Sequence, residues 1–316
     1  MKTVMGTFKE RIYKVLYEKN SVQRYLARRL LFPLLEPLGF HIVADHFYEP
    51  IPNARELEKS YQDTKLRSLA HVAVDFQESE ANHTKRLTQY GHEFRREVAR
   101  FGYSGRNRNF PIVDAISLYC FLREKKPSRV VEVGQGSSTL VMLSALFKNG
   151  IEGTNKVELV SVDPYNRLLS TFGNLEWADL KIIQRPVQSI NSLEFVDLLK
   201  DRALLFVDSS HIFKAGSDVE YLIKEIYPHV PRNTYIHVHD IYTPYPWPLK
   251  YYLETRYFWD EQDHLESFLN FNDSFRVELP LFWLMKDSEM VNRQLDLLQI
   301  ERYSLNGASF YIQRTR

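Results

Sequence analysis

Residues 129–142, RVVEVGQGSSTLVM, constrain the fold of this chain more than any other stretch. The valine-rich beginning predicts a buried strand, the two glycines predict a tight turn, and the small hydroxyl residues after them are typical of a helix N-terminus. A strand, a glycine turn and a helix in this order can form a cradle in which the backbone approaches a nucleotide. We therefore expect a nucleotide-binding α/β fold, although an ordinary structural turn also explains the two glycines.

Strands and helices alternate after residue 110. We predict helices over 111–125, 137–148, 216–230 and about 259–270, and strands over 129–133, 157–162, near 180–184, 203–208, 234–240, 275–280 and 309–314. Such alternation predicts a parallel sheet with helices on both faces, and the last two strands can pair antiparallel. The expected fold class is α/β: a doubly wound, mostly parallel seven-stranded Rossmann-like sheet with an antiparallel last strand. Ligands of such a sheet bind beyond the carboxyl ends of the strands.

The first 105 residues predict a helical N-terminal extension, and the glycine-containing loop at 101–110 separates it from a domain at 106–316. Apolar residues recur at helical spacing between Phe8 and Leu35, and residues 1–30 contain eight Lys or Arg against two Glu. A basic amphipathic helix can contact an anionic membrane or a partner through residues 8–35. It can equally be an ordinary surface helix.

The bulk composition excludes several classes of protein. A net charge of +1 and a pI near 7.8 argue against a protein that coats nucleic acid. The single cysteine, Cys120, excludes an intramolecular disulfide and fits a reducing compartment. No apolar run approaches the roughly 18–20 residues that span a bilayer, and we find no secretory signal. We therefore expect a cytoplasmic protein that does not bind nucleic acid.

The residues around the glycine turn distinguish two kinds of nucleotide. A dinucleotide fingerprint would place a third glycine at position 139 and an acid about 20 residues further on. Here Thr139 occupies that position, and the next acid that ends a strand is Asp163, 27 residues after Gly136. The acid that stands out instead is Glu132, inside the strand that precedes the turn. This arrangement disfavours NAD(P) without excluding it.

The stretch EVGQGSS resembles motif I of class I S-adenosylmethionine (SAM) methyltransferases, and the likeness continues in order over about residues 109–270. The resemblance implies a cofactor site made of Glu132, Gly134, Gly136, Ser137, Ser138, Asp163, Gln188 and Asp208. In it Asp163 holds the ribose hydroxyls, Glu132 receives the amino-acid end of SAM, and Gln188 lies near adenine. SAM has no pyrophosphate that would require a third glycine, and one carboxylate can accept hydrogen bonds from two vicinal hydroxyls.

Polar residues follow the predicted fourth and fifth strands. They are Asp208 and His211 in FVDSSH, and His239 and Asp240 in IHVHD. An alcohol has a pKa far above 7, so a base or a metal must remove its proton when a methyl group is transferred to it. Two converging carboxylates suit Mg²⁺. Both aspartates could instead cap the turns that follow the strands.

The segments DSSH…GSDV and HVHDI..PYPWP…WDEQ resemble a group of sugar and natural-product O-methyltransferases. The resemblance implies that Asp208 and His211 form the catalytic pair and that Asp208 and Asp240 hold a metal, with His239 as the alternative base. The Asn/Asp-Pro-Pro-aromatic segment typical of amine-methylating members is missing here. Ser209 stands where an additional acid can occur, so metal dependence is left open.

We therefore expect a SAM-dependent O-methyltransferase that acts on a hydroxyl of a sugar, glycan or secondary-metabolite acceptor, with SAM as cofactor and Mg²⁺ as a candidate second cofactor. The alternatives are an NAD(P)-linked oxidoreductase and a non-catalytic SAM-fold scaffold that docks through its basic N-terminal helix. A His-aromatic-Pro segment like HFYEPIP at 46–52 recurs in relatives, which implies that the N-terminal region acts as a lid.

Two further groups have open interpretations. The aromatic loop after the fifth strand either covers the acceptor or closes the end of the sheet; it contains Tyr242, Pro244, Tyr245 and Trp247. His237 and His239 lie on the same strand; we expect the two side chains to point to opposite faces, with His237 in the core.

Overall fold

The computed structural model describes residues 25–45, 49–105, 110–153, 157–165, 178–199, 202–302 and 307–316. The chain divides into two compact units, one of residues 1–62 with 248–258 and one of residues 63–247 with 259–316. Parts of three segments discussed above lie outside the described residues, namely 8–24 of the basic helix, 46–48 and 106–109.

The first unit is helical in its described part. A π turn, Ala27–Leu31, leads into helix α1, Phe32–Leu35, and a 3-10 turn, Glu36–Leu38. Helix α2, Ala54–Ser60, follows Asn53, whose side chain caps it, and a second π turn covers Tyr251–Thr255. Across the described ranges of the whole chain, no helix is both long enough and apolar enough to cross a membrane.

The second unit contains the remaining helices. They are α3 Phe76–Ala99, α4 Ile112–Lys125, α5 Ser137–Glu152, α6 Ser192–Asp197, α7 Asp218–Tyr221, α8 Glu261–Leu269, α9 Leu281–Asp287 and α10 Glu289–Leu297. A π turn, Leu222–Ile226, and a 3-10 turn, Tyr227–His229, extend α7. Short 3-10 structure at Val187–Ser189 precedes α6.

A seven-stranded sheet runs through the second unit in the order β3-β2-β1-β4-β5-β7-β6. Its strands are β1 Arg129–Val133, β2 Val157–Val162, β3 Ala178–Ile183, β4 Leu204–Val207, β5 Tyr235–Val238, β6 Phe275–Pro280 and β7 Phe310–Arg314. Strands β1 to β5 pair in parallel, and β7 is antiparallel to both β5 and β6. The predicted fold class is therefore confirmed.

Two hydrophobic clusters cover the two faces of the sheet. Val130 and Phe206 pack in the cluster that contains α3, α4 and α5, whereas Val131 and Val207 pack in the cluster that contains α6, α7 and α8. Neighbouring residues of a strand point to opposite faces. Because both faces of this sheet are covered, its strands need apolar residues at successive positions and are continuous apolar runs. Cys120 of α4 is fully buried in the first cluster, and this burial raises the pKa of its thiol.

The bounds predicted for β1, β2 and β6 agree with the structure. Strands β4 and β5 end earlier than predicted, at Val207 and Val238. The next residues still donate backbone hydrogen bonds to the sheet, Asp208 to Val133 and His239 to Val207, both at 3.0 Å. The chain then turns away, which places polar side chains at the carboxyl edge of the sheet.

Candidate active site

The carboxyl ends of β2, β1, β4 and β5 lie side by side at one edge of the sheet. Backbone hydrogen bonds continue past the strands there, from Gly134 N–H to the carbonyl of Val162 (3.0 Å) and from Asp208 N–H to the carbonyl of Val133 (3.0 Å). The predicted site residues that follow these four strands are therefore neighbours. This is the edge at which a doubly wound sheet binds its ligands.

Gly134 and Gly136 shape the turn between β1 and α5. Gly134 has a φ of 88°, and a Cβ placed on it would lie 2.3 Å from the carbonyl oxygen of Asp208. Only glycine fits this position, since a side chain would meet backbone in a conformation that L-residues avoid. Gly136 is the N-cap of α5, and a Cβ there would meet no atom of the described residues within 4 Å. The space beside Gly136 is open.

Glu132 is fully buried beneath this turn. Its carboxylate accepts hydrogen bonds from the hydroxyls of Thr139 (2.5 Å) and Ser161 (2.9 Å). Thr139 also accepts a hydrogen bond from Gly136 N–H at 3.1 Å. Burial raises the pKa of Glu132 to about 8, although the two hydroxyls oppose this effect. Glu132 thus ties β1, β2 and α5 together below the open space.

Asp163 follows β2 and faces the same turn. Its carboxylate accepts hydrogen bonds from the backbone N–H of Gln135 (2.9 Å) and of Tyr165 (2.6 Å). Ser137 and Ser138 begin α5 beside it, the former half-buried and the latter buried. Gln188 is exposed, and its side-chain amide donates to the carbonyl of Gly216 at 3.4 Å.

Asp208, His211, His239 and Asp240 come together beside Gly134. Nε2 of His211 lies 3.3 Å from Oδ1 of Asp208 and 3.6 Å from Oδ2 of Asp240. Nδ1 of His239 lies 3.5 Å from the same Asp240 oxygen and 3.8 Å from the same Asp208 oxygen. Two imidazoles therefore face two carboxylates at the ends of adjacent strands.

His211 is held from its other side by Glu261, the first residue of α8. Nδ1 of His211 lies 2.9 Å from Oε2 of Glu261, and the Trp259 ring packs against the imidazole with a centroid distance of 4.2 Å. Burial alone would lower the pKa of His211, but hydrogen bonds to Asp208 and Glu261 raise it well above its usual value. Glu261 lies in this cluster, and the sequence did not predict it, because residues 259–270 were predicted only as a helix. The WDEQ letters at 259–262 contained the signal.

His239 reaches deeper than His211. It is 2% exposed, and its Nε2 lies 3.9 Å from Asp114 of α4, another residue that the sequence reading missed. Burial opposes its charge, but the carboxylates of Asp240, Asp208 and Asp114 raise the pKa of His239 to about 9. Burial likewise opposes ionisation of Asp240, yet the charges of His239 and His211 keep its pKa below the usual value.

Three of these residues could hold a metal ion. Asp208, His211 and Asp240 each offer one ligand atom, and the three atoms lie within 4.8 Å of one another. Both His211 and Asp240 have positive φ, 61° and 57°, a backbone conformation that is uncommon outside glycine. Each turn thus directs its side chain back over a strand end, so the gathering of ligand atoms depends on local backbone as well as on topology.

The aromatic loop after β5 packs inside the second unit. Tyr242 and Trp247 are buried, and they contact each other with ring centroids 5.3 Å apart. Tyr242 also meets Phe282 of α9 at 4.7 Å. This part of the loop therefore packs into the core of the second unit. His237 is fully buried and stacks on Phe206 with a centroid distance of 4.3 Å, as expected for a core histidine. The expectation that His237 and His239 point to opposite faces was wrong: their rings lie 6.1 Å apart on the same side of the sheet, because residues two apart in a strand share a face.

Comparison with known proteins supports a methyltransferase domain. Residues 131–241 match the model of a family described as a methyltransferase domain. A protein of Archaeoglobus fulgidus, described as uncharacterized, is 25% identical over 198 residues, which cover 60% of this chain and 82% of that protein.

Two solved structures are weakly similar to the chain. The methyltransferase PaMTH1 of Podospora anserina, bound to S-adenosylhomocysteine (SAH), has a TM-score of 0.40 and 14% identity, over 88% of this chain and 100% of its own. A putative O-methyltransferase of Klebsiella pneumoniae has a TM-score of 0.34 and 11% identity, over 70% and 87%.

The matched residues begin in β1 and end just after β5, so they include the glycine turn and both turns that carry the acids and histidines. Together with the strand order, the match defines a Rossmann-like methyltransferase domain. In its fold and in the matched residues, the second unit is similar to class I SAM-dependent methyltransferases, whose methyl donor is SAM.

Proposed function

We propose that this chain transfers the methyl group of SAM to a hydroxyl oxygen of a sugar, glycan or secondary-metabolite acceptor. The observation that supports this most is the close approach of Gly134 to the backbone of Asp208. A cofactor seated on the glycine turn would have its reactive end next to Asp208, His211 and Asp240. A site of two carboxylates and an imidazole suits removal of a hydroxyl proton.

The cofactor in this proposal lies over the open space beside Gly136. Asp163 accepts hydrogen bonds from the ribose hydroxyls, since a carboxylate oxygen that already accepts a backbone N–H has a lone pair left for a second donor. Gln188 lies at the adenine end. Glu132 supports the amino-acid end from below through Thr139, because its own oxygens are buried and bound. Ser137 and Ser138 lie at the N-terminus of α5.

The transfer is an in-line displacement. A C–O bond forms between the acceptor oxygen and the methyl carbon while the C–S bond to sulfur breaks, which gives a methyl ether and SAH. The hydroxyl proton passes to Nε2 of His211 in its neutral form, with His239 as the alternative base. A cation on Asp208 and Asp240 would favour the neutral form, because it would offset the carboxylates that raise the pKa of both histidines. Most of the rate enhancement comes from holding the two reactants in line and removing the proton. Trp259, which packs against His211, places next to the base an aromatic ring of the kind on which sugar rings stack.

We propose Asp208 and Asp240 as the ligands of a divalent cation. Carboxylate oxygens are the protein ligands that Mg²⁺ prefers, and these two belong to a cluster whose ligand atoms lie within 4.8 Å of one another. Such a cation would lower the pKa of a bound acceptor hydroxyl and would orient it. The two aspartates supply the charge that attracts the cation, and they lie at the ends of the adjacent strands β4 and β5.

Binding and turnover test the proposal separately. Asp163→Ala should weaken SAM binding by at least about 100-fold, because charge-assisted hydrogen bonds to both ribose hydroxyls are lost. His211→Ala should keep SAM affinity and lower turnover by about 10²–10⁴-fold, the usual contribution of a general base. SAM affinity is measured by calorimetry, and turnover by SAH release with pooled glycan and small-molecule acceptors, with and without Mg²⁺.

Asp179→Ala is the matched control. Asp179 is an exposed acid near the N-terminal end of β3, whereas the site lies at the carboxyl ends of the strands. It should match the wild type in both assays. Normal SAM binding by Asp163→Ala would contradict the ribose assignment. Binding of NAD(P) in place of SAM would indicate the oxidoreductase alternative, and binding of neither would indicate a scaffold. The lid role of the N-terminal region and the domain boundary at residue 106 stay predictions.

We also propose that residues 25–42 of the first unit contact an anionic lipid surface. Apolar side chains are exposed along this segment; they include Leu30 (57%), Leu34 (68%), Leu38 (68%) and Phe40 (64%). Leucines that point into water beside arginines are typical of helices that lie in a membrane interface. The excess of Lys and Arg within residues 1–30 complements anionic head groups.

A further inference from the structure

The turn that carries His211 is bound to the start of α8 by several hydrogen bonds. The carbonyl of His211 accepts from the N–H groups of Asp260 (3.1 Å) and Glu261 (3.3 Å), and Phe213 N–H donates to the side chain of Asp260 (2.6 Å). Ser209 accepts from His211 N–H (3.1 Å) and donates its own hydroxyl proton to Oε2 of Glu261 (2.8 Å). These bonds hold the backbone of the turn in its unusual conformation.

Within this arrangement the side chain of Glu261 meets the imidazole itself. Oε2 of Glu261 lies 2.9 Å from Nδ1 of His211, and Glu261 is only 3% exposed. An ionised carboxylate is only a hydrogen-bond acceptor, so the proton between the two groups resides on Nδ1. The opposite nitrogen, Nε2, then faces Asp208 and Asp240. Proteins usually set the orientation of a functional histidine by a hydrogen bond from one ring nitrogen to a carboxylate, which leaves the other nitrogen for the reaction.

We propose that Glu261 is a positioning residue for the methyl transfer. It holds the Nδ1–H of His211 so that Nε2 faces the place where the acceptor hydroxyl binds. Ser209 donates to the same oxygen of Glu261, Oε2, and fixes its position. This inference rests on the proposed function, because it assigns Glu261 to the same site.

The surroundings of Glu261 separate this role from plain packing. Backbone N–H groups and Asp260 already bind the turn to α8, so the carboxylate of Glu261 is not needed for that attachment. Its second oxygen, Oε1, is buried and has no hydrogen-bond partner among the described residues. A buried carboxylate with one oxygen unsatisfied is costly to fold. The bonds that Oε2 makes to His211 and Ser209 offset that cost.

Kinetics of Glu261→Ala provide the first test. We expect kcat to fall by about 10- to 100-fold, the usual loss when the partner that orients a histidine is removed. SAM affinity and the KM for the acceptor should stay near the wild-type values. Added formate should restore part of kcat, because it can occupy the space left by the carboxylate and accept the Nδ1–H. Unchanged kcat in Glu261→Ala would overturn the proposal.

Asp263→Ala is the matched control. Asp263 is also an acid in the first turn of α8, but it pairs with Arg67 and not with His211. Both substitutions remove a charge that favours the helix N-terminus, so both should lower the melting temperature slightly. Only Glu261→Ala should lower kcat. An equal loss of kcat in Asp263→Ala, or no restoration by formate, would show that Glu261 acts through the helix and would overturn the proposal.

A spectroscopic readout decides the pairing without any turnover. In protein labelled with ¹⁵N-histidine, the Nδ1–H of His211 should give a proton signal that is protected from solvent exchange, assigned by its loss in His211→Asn. The signal should persist in Asp263→Ala and disappear in Glu261→Ala, and its persistence in Glu261→Ala would overturn the proposal. Because this measurement needs neither SAM nor acceptor, it holds even if the proposed function fails. If the wild type gives the protected signal but kcat is normal in Glu261→Ala, the hydrogen bond exists and only the positioning role is contradicted.

Discussion

Glu132 is a buried acid whose protonation is coupled to folding. Burial raises its pKa from 4.5 to about 8 in the folded chain. Between these two values the unfolded chain releases the proton while the folded chain keeps it, so this residue makes stability fall as pH rises. Its stabilising contribution is complete below about pH 4.5 and is lost as pH rises through about 8.

Glu132→Gln should remove this pH dependence. The amide cannot ionise, and it can still bond the hydroxyls of Thr139 and Ser161, so the variant should gain stability over the wild type at about pH 9 and lose that advantage at about pH 5. Thermal melts at both values measure the effect. Glu194→Gln, an exposed acid on α6, is the control and should follow the wild type. A parallel pH profile for Glu132→Gln and the wild type would contradict the coupling.

At this scale the sequence predicted the acids at strand ends but not Glu261 or Asp114. Four of the site residues follow predicted strands: Asp208, His211, His239 and Asp240. The carboxyl ends of parallel strands meet at one edge of the sheet, so the predicted strands were enough to group these residues. Glu261 begins a helix 50 residues after His211, and Asp114 lies on a helix before the first strand. Their positions depend on how helices pack on the sheet, which a short motif does not encode.

The β1–α5 turn is the element that joins the cofactor cradle to the acids. Gly134→Ala should destabilise the domain by at least about 1–3 kcal/mol, because the positive φ is strained for alanine and the new Cβ meets the Asp208 carbonyl. The free energy of unfolding measures this loss. A variant as stable as the wild type would mean that the turn relaxes away from Asp208.

Gly136→Ala should have the opposite outcome. The new Cβ points into open space, so stability should change by no more than about 0.5 kcal/mol. SAM affinity should nevertheless fall by about 10- to 100-fold, because the methyl group occupies the space proposed for the cofactor. Calorimetry of the folded variant is the measurement. Wild-type SAM affinity in Gly136→Ala would place the cofactor elsewhere.

Elements with strong local patterns were predicted well, and those that depend on context were not. The valine-rich β1 and β2 matched their predicted bounds, whereas β3, which follows residues outside the described ranges, begins at Ala178 rather than near 180. Helices α9 and α10 received no prediction. The start of α9 directly follows β6 at Pro280, so an apolar run there reads equally well as a strand or a buried helix.

For the whole molecule, the first unit carries the prediction about lipid. The chain should bind vesicles of phosphatidylcholine with phosphatidylglycerol more tightly than vesicles of phosphatidylcholine alone. Leu34→Asp should weaken this binding by about tenfold or more, because a buried leucine side chain contributes about 1.5–3 kcal/mol. Cosedimentation with vesicles measures it. Leu193→Asp, at an exposed leucine of α6, should bind as the wild type does.

Two results would contradict the lipid contact. Absence of vesicle binding by the wild type is one. The other is a dimer in solution that Leu34→Asp dissociates, since a second copy of the chain would then cover the leucines. Light scattering at several protein concentrations distinguishes the dimer from the monomer.

The burial of Cys120 makes this chain convenient for fluorescence work. It is the sole cysteine of the sequence, it is fully enclosed in the core, and its thiolate form is suppressed. A maleimide dye would therefore react with an introduced surface cysteine and leave the native thiol untouched. Pairs of dyes on introduced cysteines, one on each compact unit, would report the separation of the two units in solution during each catalytic cycle, with no need to remove the native cysteine.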